Sequence, residues 1–160
     1  MPQTPGVTLV RRWFGEGMTA GSAAAAHGMA AEIFADDFID HDGLGEVITG
    51  RARWLHEVVD AIFAAFSDVD VRIEHAFGAE DLVSVRYVFT GIHTGTFAGV
   101  PGTGRRIRHS ENEIYRIVGG RVAESWGEGD WLGTLRQLGA IPPASPPGNS
   151  PDRPLTPHTR

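Results

Sequence analysis

The sequence contains neither cysteine nor lysine, and its 14 basic residues are all arginine. Without thiols, the chain cannot form disulfides, thiolate nucleophiles or cysteine-ligated metal centres. Without lysine side chains, it cannot form the side-chain Schiff base through which many enzymes activate a carbonyl compound. Acid/base chemistry in this protein therefore has to use carboxyl, imidazole or hydroxyl groups.

Long apolar runs and clustered positive charge are scarce as well. No segment approaches the roughly 18 consecutive apolar residues of a membrane span, and the first residues lack the pattern of a signal peptide. The formal net charge is −6, whereas nucleic-acid binding relies on clustered positive charge. The one small cluster, Arg105, Arg106 and Arg108, is interpreted as solvated charge beside a strand. We expect a cytoplasmic protein with no nucleic-acid or membrane partner.

What is present fits one globular domain. The chain has 160 residues, of which 41% are hydrophobic, and this is enough for a single core. Seven of the last 19 residues are proline, so the end of the chain has too little apolar surface to order itself. We therefore predict one domain over residues 1–141 and a proline-rich disordered tail over residues 142–160.

The hydrophobic periodicity changes along the chain from a helical to a strand pattern. Helices are predicted at residues 7–14, 23–34, 51–66 and 132–138, and strands at residues 69–73, 83–89, 105–118 and 121–127. Turns are predicted at Gly78 and at Gly119-Gly120, and Asp130 and Gly139 are predicted to cap the last helix. This order indicates an α+β domain, in which a curved antiparallel sheet packs on the N-terminal helices and encloses one apolar pocket.

Polar and aromatic residues on the predicted strands are candidates for this pocket. His109, Glu111, Glu113 and Tyr115 alternate onto one face of a strand, and Trp126 lies on the next strand. Of the two glutamates, Glu111 is taken as a site candidate. His93 ends a strand where the chain must turn. An imidazole and a carboxylate on one face form either an acid/base pair or a buried salt link, and they also occur on the solvent side of sheets. The residues alone leave these alternatives open.

Two further candidates and a possible lid come from the connections. His41 and Asp42 stand in the segment Phe38-Ile-Asp-His-Asp, which is either a solvated loop or part of the pocket. The glycine-rich residues 94–104 include Phe97 and are predicted to form a lid or rim. The histidines show none of the spacings that are typical of metal ligands. We expect no metal site.

Several segments, in order along the chain, resemble one known family. They are the glycine-rich residues 91–105, Gly-Gly-Arg-Val-Ala-Glu-Ser-Trp from Gly119, and Asp-Trp-Leu-Gly-Thr-Leu-Arg-Gln-Leu-Gly from Asp130. Residues 38–42 and 64–68 add to the match. Over residues 33–141 the chain resembles the SnoaL-like polyketide cyclase family. The resemblance implies the cone of nuclear transport factor 2-like proteins, and such proteins are often homodimers.

The resemblance also implies a reaction. Members of the family include aldol cyclases that close the last ring of aromatic polyketides in antibiotic biosynthesis without a cofactor, using an aspartate as acid/base. Asp130 stands where that aspartate is expected, and it is at the same time a natural N-cap. The substrate implied is small, hydrophobic and polyketide-like. His93 and His109 are the other catalytic candidates, while the remaining pocket candidates would bind the substrate.

The chain departs from the family pattern in two places. The family often has Trp-Asp where this sequence has Trp126-Gly127, and Pro-Pro where it has Pro101-Gly102. Related proteins include cofactor-independent hydroxylases and epoxide-opening enzymes, and fold does not settle function. Hydroxylation, epoxide opening and non-catalytic binding of a polyketide therefore stay open beside aldol closure.

Overall fold

The computed structural model describes residues 4–43 and 45–142. The predicted tail, apart from Pro142, lies outside these residues. Five α-helices and six β-strands make up the described chain, and their arrangement confirms the predicted α+β class. Within these residues, no helix is both long and apolar enough to cross a membrane.

The helices begin and end close to the predicted positions. Helix α1 (Pro5–Arg12) continues into a π-helical turn (Trp13–Gly17) and is followed by α2 (Ala23–Ile33). The predicted long helix is continuous but has a π-helical turn (Leu55–Val59) between α3 (Arg51–Trp54) and α4 (Asp60–Ala65). Helix α5 (Trp131–Leu138) is capped as predicted, since Gly139 adopts the left-handed conformation after it.

The strands form one sheet with the order β2-β1-β6-β5-β4-β3. All neighbours are antiparallel except β1 and β6, which run parallel. The strands are β1 (Phe34–Gly43), β2 (Glu46–Thr49), β3 (Phe66–Ala79), β4 (Leu82–His93), β5 (Arg106–Val118) and β6 (Arg121–Gly129).

Two strands were not predicted. The sequence of β1 is Phe-Ala-Asp-Asp-Phe-Ile-Asp-His-Asp-Gly, and aspartate has a low strand propensity, so the segment is typical of a loop. Pairing with β6 and with the short β2 holds it in the sheet. Tertiary contacts thus override local propensity, and they place four aspartates on a strand.

The first hairpin turns two residues later than predicted. Ala79 pairs with Leu82, so the turn is made by Glu80 and Asp81 and not by Gly78. Packing, and not a turn, explains the glycine at position 78. A Cβ at this position would lie 2.9 Å from the side-chain oxygen of Thr4 and 3.2 Å from Val7. Its missing side chain lets the start of α1 pack closely against β3.

The helices pack on one face of the sheet and enclose the core. Large side chains that are almost fully buried come from α1 and its π-helical turn, from α2, from β1 and from α5; they are Val10, Phe14, Ile33, Phe34, Phe38 and Leu138. Between the helices and the inner face of β4, β5 and β6 a space remains, and this space is the pocket.

Candidate active site

One pocket lies between the helices and the inner face of the sheet. Its volume, including the part open to solvent at the mouth, is about 980 Å³. Most of the wall is aromatic and comes from the helices, the strands and the glycine-rich loop; these residues are Trp13, Phe14, Phe38, Trp54, Phe66, Phe89, Phe97 and Trp131. Such a cavity suits a flat, mostly apolar ligand.

The aromatic wall is packed ring against ring. Trp54 contacts Trp13 and Phe38, with ring centroids 5.5 and 5.1 Å apart. Phe97 from the loop stacks on Trp131 at the start of α5, with centroids 6.1 Å apart. Phe97 and Trp131 also line a second, more open cavity of about 1290 Å³, again including the part open to solvent, so this pair lies between the inner pocket and an outer chamber.

Polar groups form a strip across the sheet floor. His109, Glu111 and Glu113 alternate on β5 and all point into the pocket, and Tyr87 joins them from β4. The His109 and Glu111 side chains are only 7% and 13% exposed. Ionisable groups this deep in an apolar pocket are candidates for acid/base roles.

Both ring nitrogens of His109 have a hydrogen-bonding partner. The hydroxyl of Thr134 donates to the backbone oxygen of Asp130 at 3.0 Å, so it accepts from Nδ1 of His109 at 2.9 Å. The other ring nitrogen, Nε2, lies 3.2 Å from Oε2 of Glu111. That oxygen also accepts a 2.6 Å hydrogen bond from the hydroxyl of Tyr87. This network holds the His109 ring and the Glu111 carboxyl group in fixed orientations.

Three pKa values in this strip are shifted. Burial, reinforced by the carboxylates of Glu111 and Asp40, raises the pKa of Glu113 well above its ordinary value. Burial also raises the pKa of Tyr87 well above its ordinary value, with help from Glu113 and Glu111. The pKa of Asp40 is raised by burial too, although hydrogen bonds from the Asp42 backbone and Ser125 oppose the shift. The first two shifts favour the neutral, proton-carrying forms of Glu113 and Tyr87.

Two glycines of β6 make room for these side chains. A Cβ at Gly127 would lie 2.7 Å from Oε1 of Glu111 and 3.2 Å from Cγ of Glu113. A Cβ at Gly129 would lie 2.6 Å from Nε2 of His109. Any larger residue at either position would displace the polar strip. The family often has an aspartate where this chain has Gly127. Here the carboxyl-bearing side chains of Glu111 and Glu113 on β5 reach the same space.

Five of the predicted site residues line the inner pocket: His109, Glu111, Tyr115, Phe97 and Asp42. Asp42 lies near the mouth, where its carboxylate accepts a hydrogen bond from the backbone of Gly127 at 3.0 Å. Phe97 is on the glycine-rich loop, in the rim position that the sequence predicts. The alternation of β5 therefore located most of the polar floor.

His41 and Trp126 do not line the pocket. Both alternate with pocket residues, His41 between Asp40 and Asp42 on β1 and Trp126 between Ser125 and Gly127 on β6, so they lie on the outer face of the sheet. Their rings stack there at 4.7 Å, and Nε2 of His41 contacts Glu124 at 2.9 Å. In this structure the pair packs the outer surface.

His93 is fully buried beside the pocket and is not part of its lining. Its Nδ1 accepts a hydrogen bond from the backbone N–H of Thr103 at 3.3 Å and contacts the hydroxyl of Thr103 at 3.1 Å. Its backbone pairs with Arg105 and Gly104. These contacts fix the base of the glycine-rich loop, so the structure places His93 where it supports the rim.

Asp130 caps helix α5 and has an exposed side chain. Its Oδ1 accepts a 2.8 Å hydrogen bond from the backbone N–H of Gly133. The carboxylate does not line the pocket, but the backbone oxygen of Asp130 holds the hydroxyl of Thr134, which in turn contacts His109. Asp130 is therefore connected to the polar strip through its main chain.

Sequence reasoning left several pocket residues out of the candidate set. Glu113 continues the alternation of His109 and Glu111, so the signal for it was present. Asp40 shares a face with Asp42 by the same rule. Tyr87 alternates with apolar residues and is typical of a core position, and only the sheet register shows that it faces Glu111.

The described residues offer no group of three or more His, Asp, Glu or Cys side chains that could hold a metal ion. The acidic strip contains one histidine, and the Tyr87 hydroxyl lies between the carboxyl groups of Glu111 and Glu113. What this arrangement can do is move protons, because two carboxyl groups and a phenol lie within hydrogen-bonding reach of one another.

The sequence is similar to named cyclases of antibiotic pathways. It is 34% identical over 110 residues to nogalonic acid methyl ester cyclase of Streptomyces nogalater, covering 68% of this chain and 81% of that protein. It is 39% identical over 57 residues to aklanonic acid methyl ester cyclase of Streptomyces peucetius. That match covers 36% of this chain and 39% of the relative, so the chain spans well under half of that protein.

Solved structures share the fold. A SnoaL-like protein from Jannaschia sp. CCS1 superimposes with a TM-score of 0.74 at 23% identity, covering 88% of this chain and 95% of that one. TsrD from Streptomyces laurentii gives the same TM-score at 20% identity, covering 88% and 99%. The family model for SnoaL-like polyketide cyclases matches residues 9–138. This chain therefore belongs to the SnoaL-like polyketide cyclase family.

Proposed function

We propose that the protein closes a ring of a neutral aromatic polyketide ester by an intramolecular aldol reaction, without metal or organic cofactor. The observation that carries the proposal is the buried chain of hydrogen bonds from Tyr87 through Glu111 to His109, set in the floor of an aromatic pocket. The naming of relatives as methyl ester cyclases supports the substrate class.

Glu111 is the proposed base. Its Oε2 accepts from Tyr87 and His109, which hold the carboxylate in place. Its Oε1 accepts no hydrogen bond from any described residue and occupies the space above Gly127, inside the pocket. An aldol closure starts when a base removes a proton from a carbon next to a carbonyl. Oε1 is the oxygen that is placed to do so, and the aromatic walls hold the substrate folded for attack.

Methyl esters are expected to bind more tightly than the corresponding free acids. The pocket lining includes Asp40, Asp42, Glu111 and Glu113, while the described chain contributes no arginine to it. An anionic ligand would meet uncompensated negative charge, so we expect Kd of the free acid to be at least about tenfold higher, equal to roughly 1.4 kcal/mol. Quenching of tryptophan fluorescence measures both constants, with the neutral primary amide as control. Equal affinities for acid and ester would contradict this charge argument.

Replacement of Asp130 tests which residue is the base, since the family resemblance implies Asp130 and the geometry favours Glu111. Because asparagine caps a helix as well as aspartate does, we expect Asp130→Asn to keep the melting temperature within a few degrees and turnover within about threefold. Asp130→Ala should lose about 1 kcal/mol of stability, since the cap is removed. Thermal unfolding and steady-state kinetics check both. A loss of about 100-fold or more in Asp130→Asn would assign the acid/base role to Asp130, as the resemblance implies, and not to Glu111.

The proposed reaction is tested with nogalonic and aklanonic acid methyl esters as substrates. Aldol closure is an isomerisation, so the product should have the mass of the substrate and a different retention time and absorption spectrum. Addition of one oxygen would indicate a hydroxylase, and addition of one water would indicate epoxide opening. Tight binding without any new product would indicate a binding protein. Each of these three results would overturn the aldol proposal.

We also propose that the protein forms a homodimer through the outer face of the sheet. Phe77 and Ile114 are 66% and 43% exposed on this face, beside the stacked pair His41 and Trp126. Light scattering after size exclusion should give twice the chain mass of 17.2 kDa. Ile114→Glu should give the monomer mass, because it would bury charge in the interface. A parent protein that elutes with the single-chain mass contradicts the proposal.

A further inference from the structure

Glu113 has one oxygen that the fold leaves without a partner. Its Oε1 is 3.5 Å from the Tyr87 hydroxyl, while Oε2 is buried and has no hydrogen-bond partner among the described residues. A buried oxygen without a partner costs stability, and such groups are rare in folded proteins. Since Glu113 lines the pocket, the missing partner can be supplied by an atom of the ligand.

The surroundings decide which kind of ligand atom fits. The space next to Glu113 contains the carboxylate of Glu111, the carboxyl of Asp40 and the hydroxyl of Tyr87, which is already committed as a donor to Glu111. A second negative charge is unfavourable here, and burial raises the pKa of Glu113. These neighbours favour the neutral form of Glu113, in which its carboxyl group is a hydrogen-bond donor. The matching ligand group is an uncharged acceptor, namely a ketone or ester carbonyl oxygen.

We propose that Glu113 is a second catalytic carboxyl, the general acid that protonates the carbonyl oxygen attacked in ring closure. This rests on the proposed aldol reaction, in which Glu111 is the base. Gly127 permits the arrangement, because a side chain on that residue would collide with both carboxyl groups. In this proposal Glu111 is the general base and Glu113 is the general acid, whereas the family resemblance implies one aspartate for both roles.

The protons and bonds of this step balance. Glu111 takes a proton from the carbon next to one carbonyl, and that carbon forms a bond to the carbon of a second carbonyl. The electron pair of the broken C=O π bond moves to its oxygen, which receives the proton of Glu113. One proton then returns from Glu111 to Glu113. The Tyr87 hydroxyl, 2.6 Å from Glu111 and 3.5 Å from Glu113, lies between them for this return.

Glu113→Gln tests the acid separately from the base. The amide keeps the shape and can donate a hydrogen bond, but it cannot transfer a proton. In D₂O, we expect Glu113→Gln to lose at least about 100-fold in ring closure while it still exchanges the acidic carbon-bound hydrogen of nogalonic acid methyl ester for deuterium. Glu111→Gln should lose both exchange and closure. Glu46→Gln, an exposed residue of β2, serves as the matched control.

The proposal is overturned if Glu113→Gln closes the ring within about threefold of the parent rate, or if it loses exchange together with closure. The melting temperature of each variant, measured by circular dichroism, confirms that it is folded. A second variant, Glu113→Leu, removes the carboxyl group for the binding measurement that follows. Should it fail to fold, Glu113→Gln and its exchange signature carry the test alone.

A binding measurement distinguishes failure of this proposal from failure of the aldol function. Anthraquinone-2-carboxylic acid methyl ester is an unreactive, neutral probe with ketone and ester carbonyls. Infrared spectra should show one carbonyl band shifted to lower frequency in the parent protein, and the shift should be lost in Glu113→Leu. The result does not depend on turnover. A bound probe with unshifted carbonyl bands in the parent overturns the role of Glu113 as a donor, even if the protein is a cyclase.

Discussion

Glu111→Gln is expected to reduce kcat for ring closure by about 1000-fold or more while leaving KM within about threefold. The amide fills the same space but cannot accept the proton of a carbon acid, and general base catalysis typically contributes 10²- to 10⁴-fold. The expected effect is at the upper end because Oε1 of Glu111 faces the pocket and accepts no hydrogen bond from a described residue, while Oε2 is held by Tyr87 and His109. Steady-state kinetics with nogalonic acid methyl ester measure both constants.

Glu74→Gln is the matched control for this substitution. Glu74 is a half-buried glutamate of the same sheet and pairs with Arg72 and Arg86. Its substitution by glutamine changes the charge as Glu111→Gln does, but lies outside the pocket. It should keep kcat within about twofold. Retention of more than about one tenth of the parent kcat by Glu111→Gln would contradict the role of Glu111, and the base would then have to be His109 or Asp130.

Glu113→Gln is expected to make the folded protein more stable, and increasingly so as the pH rises. Burial raises the pKa of Glu113 well above its ordinary value of 4.5. Above that ordinary value the unfolded chain releases the proton and the folded chain keeps it, so the parent loses stability until the pH passes the folded-state pKa. The loss is about 1.4 kcal/mol for each pH unit in this window. Glutamine does not titrate and removes the loss.

Urea unfolding at a series of pH values between 4 and 8 measures this effect. The free energy of unfolding of Glu113→Gln should exceed that of the parent by a margin that grows with pH and reaches on the order of 1 kcal/mol or more at pH 8. Below the ordinary pKa the two proteins should differ little. A margin that is constant across the series would show that Glu113 has the same pKa in the folded and unfolded chains. A stable, less active variant is a common sign of a strained catalytic group.

The fold was largely predictable, because its main signals are local. Apolar spacing located the helix over residues 51–66, and alternation located β4 and β5. Gly119-Gly120 marked the hairpin between β5 and β6, since both residues adopt positive φ. The strand β1 escaped prediction because its four aspartates are poor strand formers that only its partners hold in the sheet.

The site was predictable only in part. Alternation placed His109 and Glu111 on one face, but it cannot say which face of a strand points inward. For β6 the inward residues are Ser125 and Gly127, so Trp126 lies outside. Likewise, a cap and an acid/base residue have the same sequence signature at Asp130, and the contact with Gly133 is visible only in three dimensions.

The sequence by itself determined the class of chemistry and the family. Without cysteine and lysine, the protein has only carboxyl, imidazole and hydroxyl groups for catalysis, and the order of its motifs is that of SnoaL-like polyketide cyclases. Tertiary structure decided which carboxyl groups share the pocket and which of them has its pKa raised. The reason is physical: a pKa depends on burial and on neighbouring charge, and Glu111, Glu113 and Tyr87 become neighbours only through the register of β4 and β5.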